Sequence, residues 1–174
     1  SGMMKTINIW YSSREHEWLS NLCYRPFMFK SDWYVSVEHA YQTWKSGEFD
    51  RRVYSRPWQS GSKFVGKKPP RTDNNWNVAL MTNFIVLSFL SPNNTSMRRK
   101  FVKYIEDGVE FTHLQDHSIW RYQFPACLKQ AGIYLVEIQD VDEMYINEEP
   151  LSELLPDETH RLNNKFVGVN NGNT

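Results

Sequence analysis

The sequence predicts an α+β domain, mostly helical with a small antiparallel sheet. Three observations lead there. Apolar residues recur at helical spacing in three separate runs. Between and before them lie short segments of strict apolar alternation, each only a few residues long. The chain has 174 residues, 40% hydrophobic and 15% aromatic, enough to bury a sizeable core.

The elements follow in order. "TINIWY" alternates Ile7, Ile9 and Tyr11 and reads as a strand. In "RPFMFKSDWYVS", Phe27 and Phe29 alternate, Lys30-Ser31-Asp32 turn, and Trp33 and Val35 resume the alternation, which describes a hairpin. Ser36 then caps a helix. Residues 56–70 are punctuated by Gly and Pro and read mostly as loop, with room for a short helix. Asp73-Asn74-Asn75 can cap a second helix, in which Trp76, Ala79, Leu80, Phe84 and Leu87 share one side and which Pro92 closes. A third helix starts near Asn94 or Thr95, carries Met97, Phe101 and Tyr104, and stops at Gly108. "VEFTHL" alternates as a short strand. "GIYLVEIQDV" fits either a strand or a helix. The acidic "NEEPLSELLPDE" and the Asn/Gly-rich tail look peripheral.

Composition excludes several functions. Leading Ser1-Gly2-Met3 reads as an expression remnant, no secretory signal follows it, and "FIVLSFL" is far too short to span a bilayer. Cys23 and Cys127 lie far apart without CxxC spacing, so neither a disulfide framework nor a zinc site is expected, and a reduced, cytoplasmic protein is the simplest expectation. His113 and His117 are four apart, but "LQD" between them belongs to a strand-to-loop junction and not to a helix face, so no metal is expected. Lys plus Arg equals Asp plus Glu at 20 each, which argues against generic phosphate-backbone binding. Local basic clusters at Arg51-Arg52, in 63–71 and from Arg98 are either solvated surface or docking points for phosphate.

The helix that opens "SVEHAYQTWKSGEFD" carries two stripes. Val37, Ala40, Tyr41 and Trp44 stand at core-facing spacing. Glu38, Gln42 and Lys45 form a second, polar stripe. Glu38 and Lys45 sit roughly 10 Å apart along the axis, too far for a simple salt bridge and enough to bracket a nucleoside-sized ligand. With Ser36 as N-cap, Glu38 takes the second helical position, where the dipole favours an ionised carboxylate suited to base chemistry. Simple complementation of the dipole at the surface is the ordinary alternative. His39 points about 100° around the helix from Glu38, towards a supporting or surface place.

Several segments in order resemble the NADAR family, whose members are similar to N-glycosidases of ribosylated nitrogen compounds. "INIWYS" resembles its "INFYS"-like strand, and "WLSNL" its "FSNF"-like element. "SVEHAYQTWK" resembles "SEHYFQAQK", with Glu38, His39, Gln42 and Lys45 in place. The stretch 55–76, with Arg71 and Trp76, resembles an "SP…G…R…W" pattern. "QDHSIW" resembles a "D-x-x-W" element, and "AGIYLVEIQ" the family's "LGYLLMELR". The resemblance implies a NADAR-like N-glycosidase domain over residues 4–140, followed by an acidic and then Asn/Gly-rich C-terminal extension over 141–174. Two features depart from the pattern. "RYQFPACL" follows Trp120 where a Gly-rich turn is usual, and Lys129 stands near the place of an Asn.

What the resemblance implies chemically is hydrolysis of a bond between ribose C1′ and a base nitrogen. The transition state is oxocarbenium-like, and a carboxylate beneath C1′ stabilises it. Glu38 is the candidate for that place, with Asp116 assisting the leaving base; a loop Asp capping a turn is Asp116's ordinary role. Lys45 is the third catalytic candidate, binding sugar or phosphate or attacking a ring-opened sugar aldehyde as an amine. Ser20 and Asn21 would bond ribose hydroxyls, or be turn residues. Gln42 adds to the substrate-binding set. Arg71 would hold a pyrophosphate, or be solvated. Trp76 and Trp120 would stack on a ring, with core packing the alternative for each. The expected partner is an ADP-ribose-type nucleotide or ADP-ribosylated nucleic acid, or a phosphorylated riboflavin precursor, with no cofactor, metal or membrane. The alternative function is a catalytically impaired module that binds ADP-ribose or another NAD-derived nucleotide, and a protein that kept only the fold is a third.

Overall fold

A computed structural model describes residues 5–10, 15–46 and 74–139. Strand β1 (Thr6–Asn8) pairs in parallel with β4 (Glu110–Thr112), Ile7 opposite Phe111, and Ile9 extends the pairing by donating its N–H to Thr112 O at 2.8 Å. This pair is parallel where the sequence pointed only to antiparallel pairing, because Phe111 lies far along the chain from Ile7 and local alternation carries no record of its partner. The antiparallel sheet is the hairpin of β2 (Phe27–Phe29) and β3 (Asp32–Tyr34). Phe27, Phe29 and Tyr34 are buried, while Met28 and Trp33 pair across the outer face. Lys30 and Ser31 form a two-residue turn, both at positive φ (52° and 72°).

Among the described residues four helices make up the rest. Helix α1 (Val37–Ser46) starts where Ser36 Oγ accepts the N–H of His39 at 3.1 Å, the N-cap geometry expected. Val37, Ala40, Tyr41 and Trp44 are buried, as their spacing predicts, and Trp44 Nε1 donates to the Tyr34 hydroxyl at 2.9 Å. Helix α2 (Asn74–Leu90) is apolar on nearly every side and packs against α1 and the two helices that follow it. Pro92 opens a short 3₁₀ turn (Pro92–Asn94) and ends α2; buried Asn94 ties that turn to Pro26 O (2.9 Å) and Ser88 O (2.7 Å).

Helix α3 (Thr95–Glu106) closes with Gly108 at φ 76°, its N–H bonding Ile105 O while Val109 N–H bonds Tyr104 O. This cap turns the chain into β4. Helix α4 (Trp120–Glu137) resolves the ambiguous "GIYLVE" as helix. Gly132 lets α4 approach α3 closely: a Cβ there would run into Ile105 Cγ1 and Cδ1 and lie 3.0 Å from Phe101 Cζ. One core therefore joins all four helices and the inner faces of both sheets. Fully buried Arg25 ties the segment before β2 to α2 through Ser88 Oγ (2.8 Å) and to the turn at Glu17–Leu19 through Trp18 O (2.6 Å), its guanidinium 4.2 Å over the Phe89 ring. Burial lowers its pKa to about 10. Both cysteines are free. Among the described residues no helix is long and apolar enough to cross a membrane.

The loop and short helix expected in 56–70, the capping Asp73, and the extension 141–174 lie outside the described residues.

Candidate functional site

A cavity of about 370 Å³ opens where four parts of the chain meet. Helix α1 contributes Glu38, Tyr41, Gln42 and Lys45. The turn before the hairpin contributes Ser20, Asn21 and Leu22. The β4–α4 loop brings His113, Gln115 and Asp116, and α4 brings Trp120 and Phe124. Trp10 and Met81 complete the wall. The polar stripe of α1 thus faces the cavity while its apolar stripe faces the core. Glu38, Lys45, Asp116, Ser20, Asn21, Gln42 and Trp120 all meet here. Arg71 lies outside the described residues, and Trp76 falls within the first turn of α2 with its side chain outside them.

Glu38 is half-buried and accepts from Gln42 Nε2 at 2.9 Å, one turn along the helix. Burial pushes its carboxyl above the usual range and Asp116 adds to the rise; the Gln42 bond, Lys45 and His113 oppose it. Burial thus works against the helix dipole that the sequence expected to keep Glu38 ionised. The helix-end donors are already engaged, since Glu38 N–H bonds Asn21 O at 3.0 Å and His39 N–H bonds Ser36 Oγ. His39 itself is fully buried, not at the surface: its Nδ1 accepts from Val35 N–H at 3.2 Å and its ring meets Tyr34 edge-on.

Asp116 meets the opposite surroundings. Burial alone would raise its carboxyl. Ser118, donating from Oγ at 2.5 Å and from N–H at 2.7 Å, outweighs this together with His113, so the carboxyl is held below the usual range. His113 Nε2 lies 3.4 Å from Asp116 Oδ2. The other ring nitrogen, Nδ1, lies 2.9 Å from Ile9 O, an acceptor only, so Nδ1 carries a proton. Phe124 packs against the ring at 4.9 Å. Asn8 secures the same loop, donating to Gln115 Oε1 at 2.7 Å while its Oδ1 accepts from Thr112 Oγ1 (3.0 Å) and Leu114 N–H (2.9 Å).

Lys45 Nζ lies 5.7 Å from the centroid of the Tyr41 ring and has no ion pair among the described residues. Trp120 packs edge-on against Tyr41 at 5.5 Å, so its ring is half in the wall and half in the core. Buried Tyr41 has its phenol pushed up by burial first and by the charge of Glu38 second. Ser20 Oγ accepts from Leu22 N–H at 3.1 Å, and Asn21 Nδ2 points at Met81 Sδ, 3.1 Å away. The carbonyl ends of Asn21 and Gln42 are buried without a hydrogen-bond partner among the described residues.

His113, Trp10 and the cavity-facing side of Tyr41 were not legible as site residues. Tyr41 sits in the core stripe, and His113 follows a strand like any edge residue. Among the described residues no cluster of three or more His, Cys, Asp and Glu has the geometry to hold a metal ion.

Two carboxylates, an ammonium and an imidazole thus ring one aromatic-walled cavity. Its volume falls at the small-ligand end of typical binding clefts. Comparison with protein-family models, with curated proteins and with solved structures found no match in any of the three.

Proposed function

We propose that the chain is an N-glycosidase that hydrolyses the ribose–nitrogen bond of an ADP-ribosylated base, guanine in nucleic acid, or of a related ribosylated nucleotide intermediate. The observation that carries this reading is the convergence of Glu38, Lys45 and Asp116 on one cavity. It adds to the ordered NADAR-like segments in the sequence. Bond cleavage builds positive charge on the sugar and leaves a base nitrogen needing a proton. Paired carboxylates in a partly dry cavity serve both needs. Trp120 and Trp10 offer aromatic surface to a base, and Lys45, without an ion pair among the described residues, offers an ammonium to sugar or phosphate oxygens.

The test is release of ADP-ribose from ADP-ribosylated DNA by wild type and Glu38→Gln. Release by wild type that falls by about 10²-fold or more in the variant supports the reading. Equal traces from both would remove Glu38 from the chemistry.

A second reading, an ADP-ribose-binding module without turnover, has its own observation. Helix α4 begins at Trp120 itself, so "RYQFPACL" is helical where a Gly-rich turn would otherwise shape the pocket. Calorimetry with ADP-ribose separates the two: heat without turnover favours the module, and no heat across a millimolar titration counts against it.

A further inference from the structure

We infer that the two carboxylates divide the work in the order opposite to their place in the sequence motif: Asp116 is the anion that faces the cationic sugar and takes the proton of the attacking water, Glu38 is the acid that protonates the departing base, and His113 is the residue that positions Asp116. This rests on the glycosidase reading and deepens it.

The argument is geometric. Asp116 is met by the Ser118 N–H at 2.7 Å, the Ser118 hydroxyl at 2.5 Å and His113 Nε2 at 3.4 Å. Both Ser118 groups donate to a carboxylate, and His113 Nε2 joins them only when the ring carries a second proton beside the one on Nδ1, whereas a protonated carboxyl gives up part of that acceptor capacity. His113 is fixed from behind by the bond between Nδ1 and Ile9 O and by Phe124, so its Nε2 cannot swing away from Asp116 without losing both. Glu38 has one donor, Gln42 Nε2, on Oε1, and no protein partner on its other oxygen among the described residues. Among the described residues the groups facing Glu38 are Lys45, Asp116, His113 and the Tyr41 phenol. Asp116 is the only anion among them at neutral pH, and two carboxylates sharing one cavity ionise in sequence. The first proton leaves the better-solvated partner. The opposed shifts at the two sites agree with this order.

The steps balance. The C1′–N bond breaks, its electron pair stays on the base nitrogen, and that nitrogen takes the Glu38 proton. Water adds to C1′ and gives a proton to Asp116. Solvent exchange returns that proton to Glu38, so one water is consumed and no other reactant is needed.

Two measurements test it. The first compares ADP-ribosylated DNA with NAD⁺, whose nicotinamide leaves neutral and needs no proton. Glu38→Gln should lose guanine release by about 10²–10⁴-fold and NAD⁺ cleavage by much less. Asp116→Asn should lose both alike. The reverse pattern overturns the assignment, and wild type cleaving neither probe overturns the glycosidase reading beneath it. The second needs no turnover: carboxyl ¹³C titration by NMR of the full chain. Asp116 should lose its proton at lower pH than Glu38, and His113→Gln should move the Asp116 titration upward. Glu38 titrating first, or an Asp116 curve indifferent to His113, overturns the division whatever the activity assay reads.

Discussion

At the scale of the residue, Glu38 and Asp116 bring one functional group into one cavity and meet opposite surroundings. Those surroundings have a consequence for stability that does not depend on catalysis. Glu38 has a raised folded-state pKa, so the folded protein holds its proton more tightly than the unfolded chain. Its contribution therefore becomes unfavourable as pH rises from the unfolded value, about 4.3, through the raised folded value. Asp116 has a lowered folded-state pKa, so its contribution is favourable above an unfolded value of about 3.9 and is lost as pH falls through the folded value. Glu38→Gln keeps the acceptor for Gln42 and should melt above wild type at pH 7, with the gap closing towards pH 4. Asp116→Asn should melt below wild type at pH 7. Thermal melts across pH 3–8 check both, and a Glu38→Gln variant less stable than wild type at pH 7 would contradict the burial argument. Glu38, Gln42 and Lys45 were legible beforehand because a helix turns every 3.6 residues, so one side of α1 can be read from spacing alone. His113 was not, because its placement depends on Ile9 O, a partner over a hundred residues away.

At the scale of the element, two positions show where local rules and tertiary demand diverge. The β2–β3 turn puts Lys30 and Ser31 at positive φ, where L-residues with a Cβ pay a steric penalty and Asn-Gly is favoured. The hairpin was legible from the alternation of Phe27, Phe29 and Trp33, but the turn type was not, since neither residue announces it. Ser31→Gly should stabilise the protein by about 1 kcal/mol, read as a rise in urea midpoint at unchanged slope. Gly132 is the reverse case. Inside α4 a glycine costs about 1 kcal/mol of helix propensity, yet its missing Cβ is what lets Ile105 and Phe101 of α3 pack against the backbone. Gly132→Leu should destabilise by about 1–3 kcal/mol despite the better propensity, through overpacking. The same urea titration decides it, and a neutral result would mean that Ile105 moves aside freely. The last turns of α4, from Gly132, were ambiguous in the sequence because Ile and Val favour a strand while Ile133, Val136 and Glu137 also fit a helix. Contact with α2 and α3 selects the helix.

At the scale of the whole molecule, the cavity exists only because distant segments close on one another. Helix α1 and the β4–α4 loop supply its two chemical walls, and they are separated by α2 and α3 in the chain. What joins the first strand to the loop is Asn8, whose side chain donates to Gln115 and accepts from Thr112 and Leu114, all more than a hundred residues away. The parallel pairing of β1 with β4 sets the register, and Asn8 extends that register past the end of β4 into the loop that carries His113 and Asp116. Asn8→Ala removes every one of those bonds and leaves Thr112 Oγ1, Leu114 N–H and Gln115 without this partner. Two of those three residues are exposed at the loop, so water satisfies much of the loss and the global cost should stay near about 1–2 kcal/mol. The local effect should be larger in kind. Amide exchange over 113–118 should quicken while the β2–β3 hairpin and α2 keep their protection, because neither touches Asn8 through a hydrogen bond. Hydrogen exchange with mass spectrometry on wild type and Asn8→Ala reads both regions in one experiment. Uniform acceleration across the chain would mean that Asn8 holds the fold together and not the loop. Acceleration nowhere would mean that the His113–Ile9 and Asp116–Ser118 bonds hold the loop unaided.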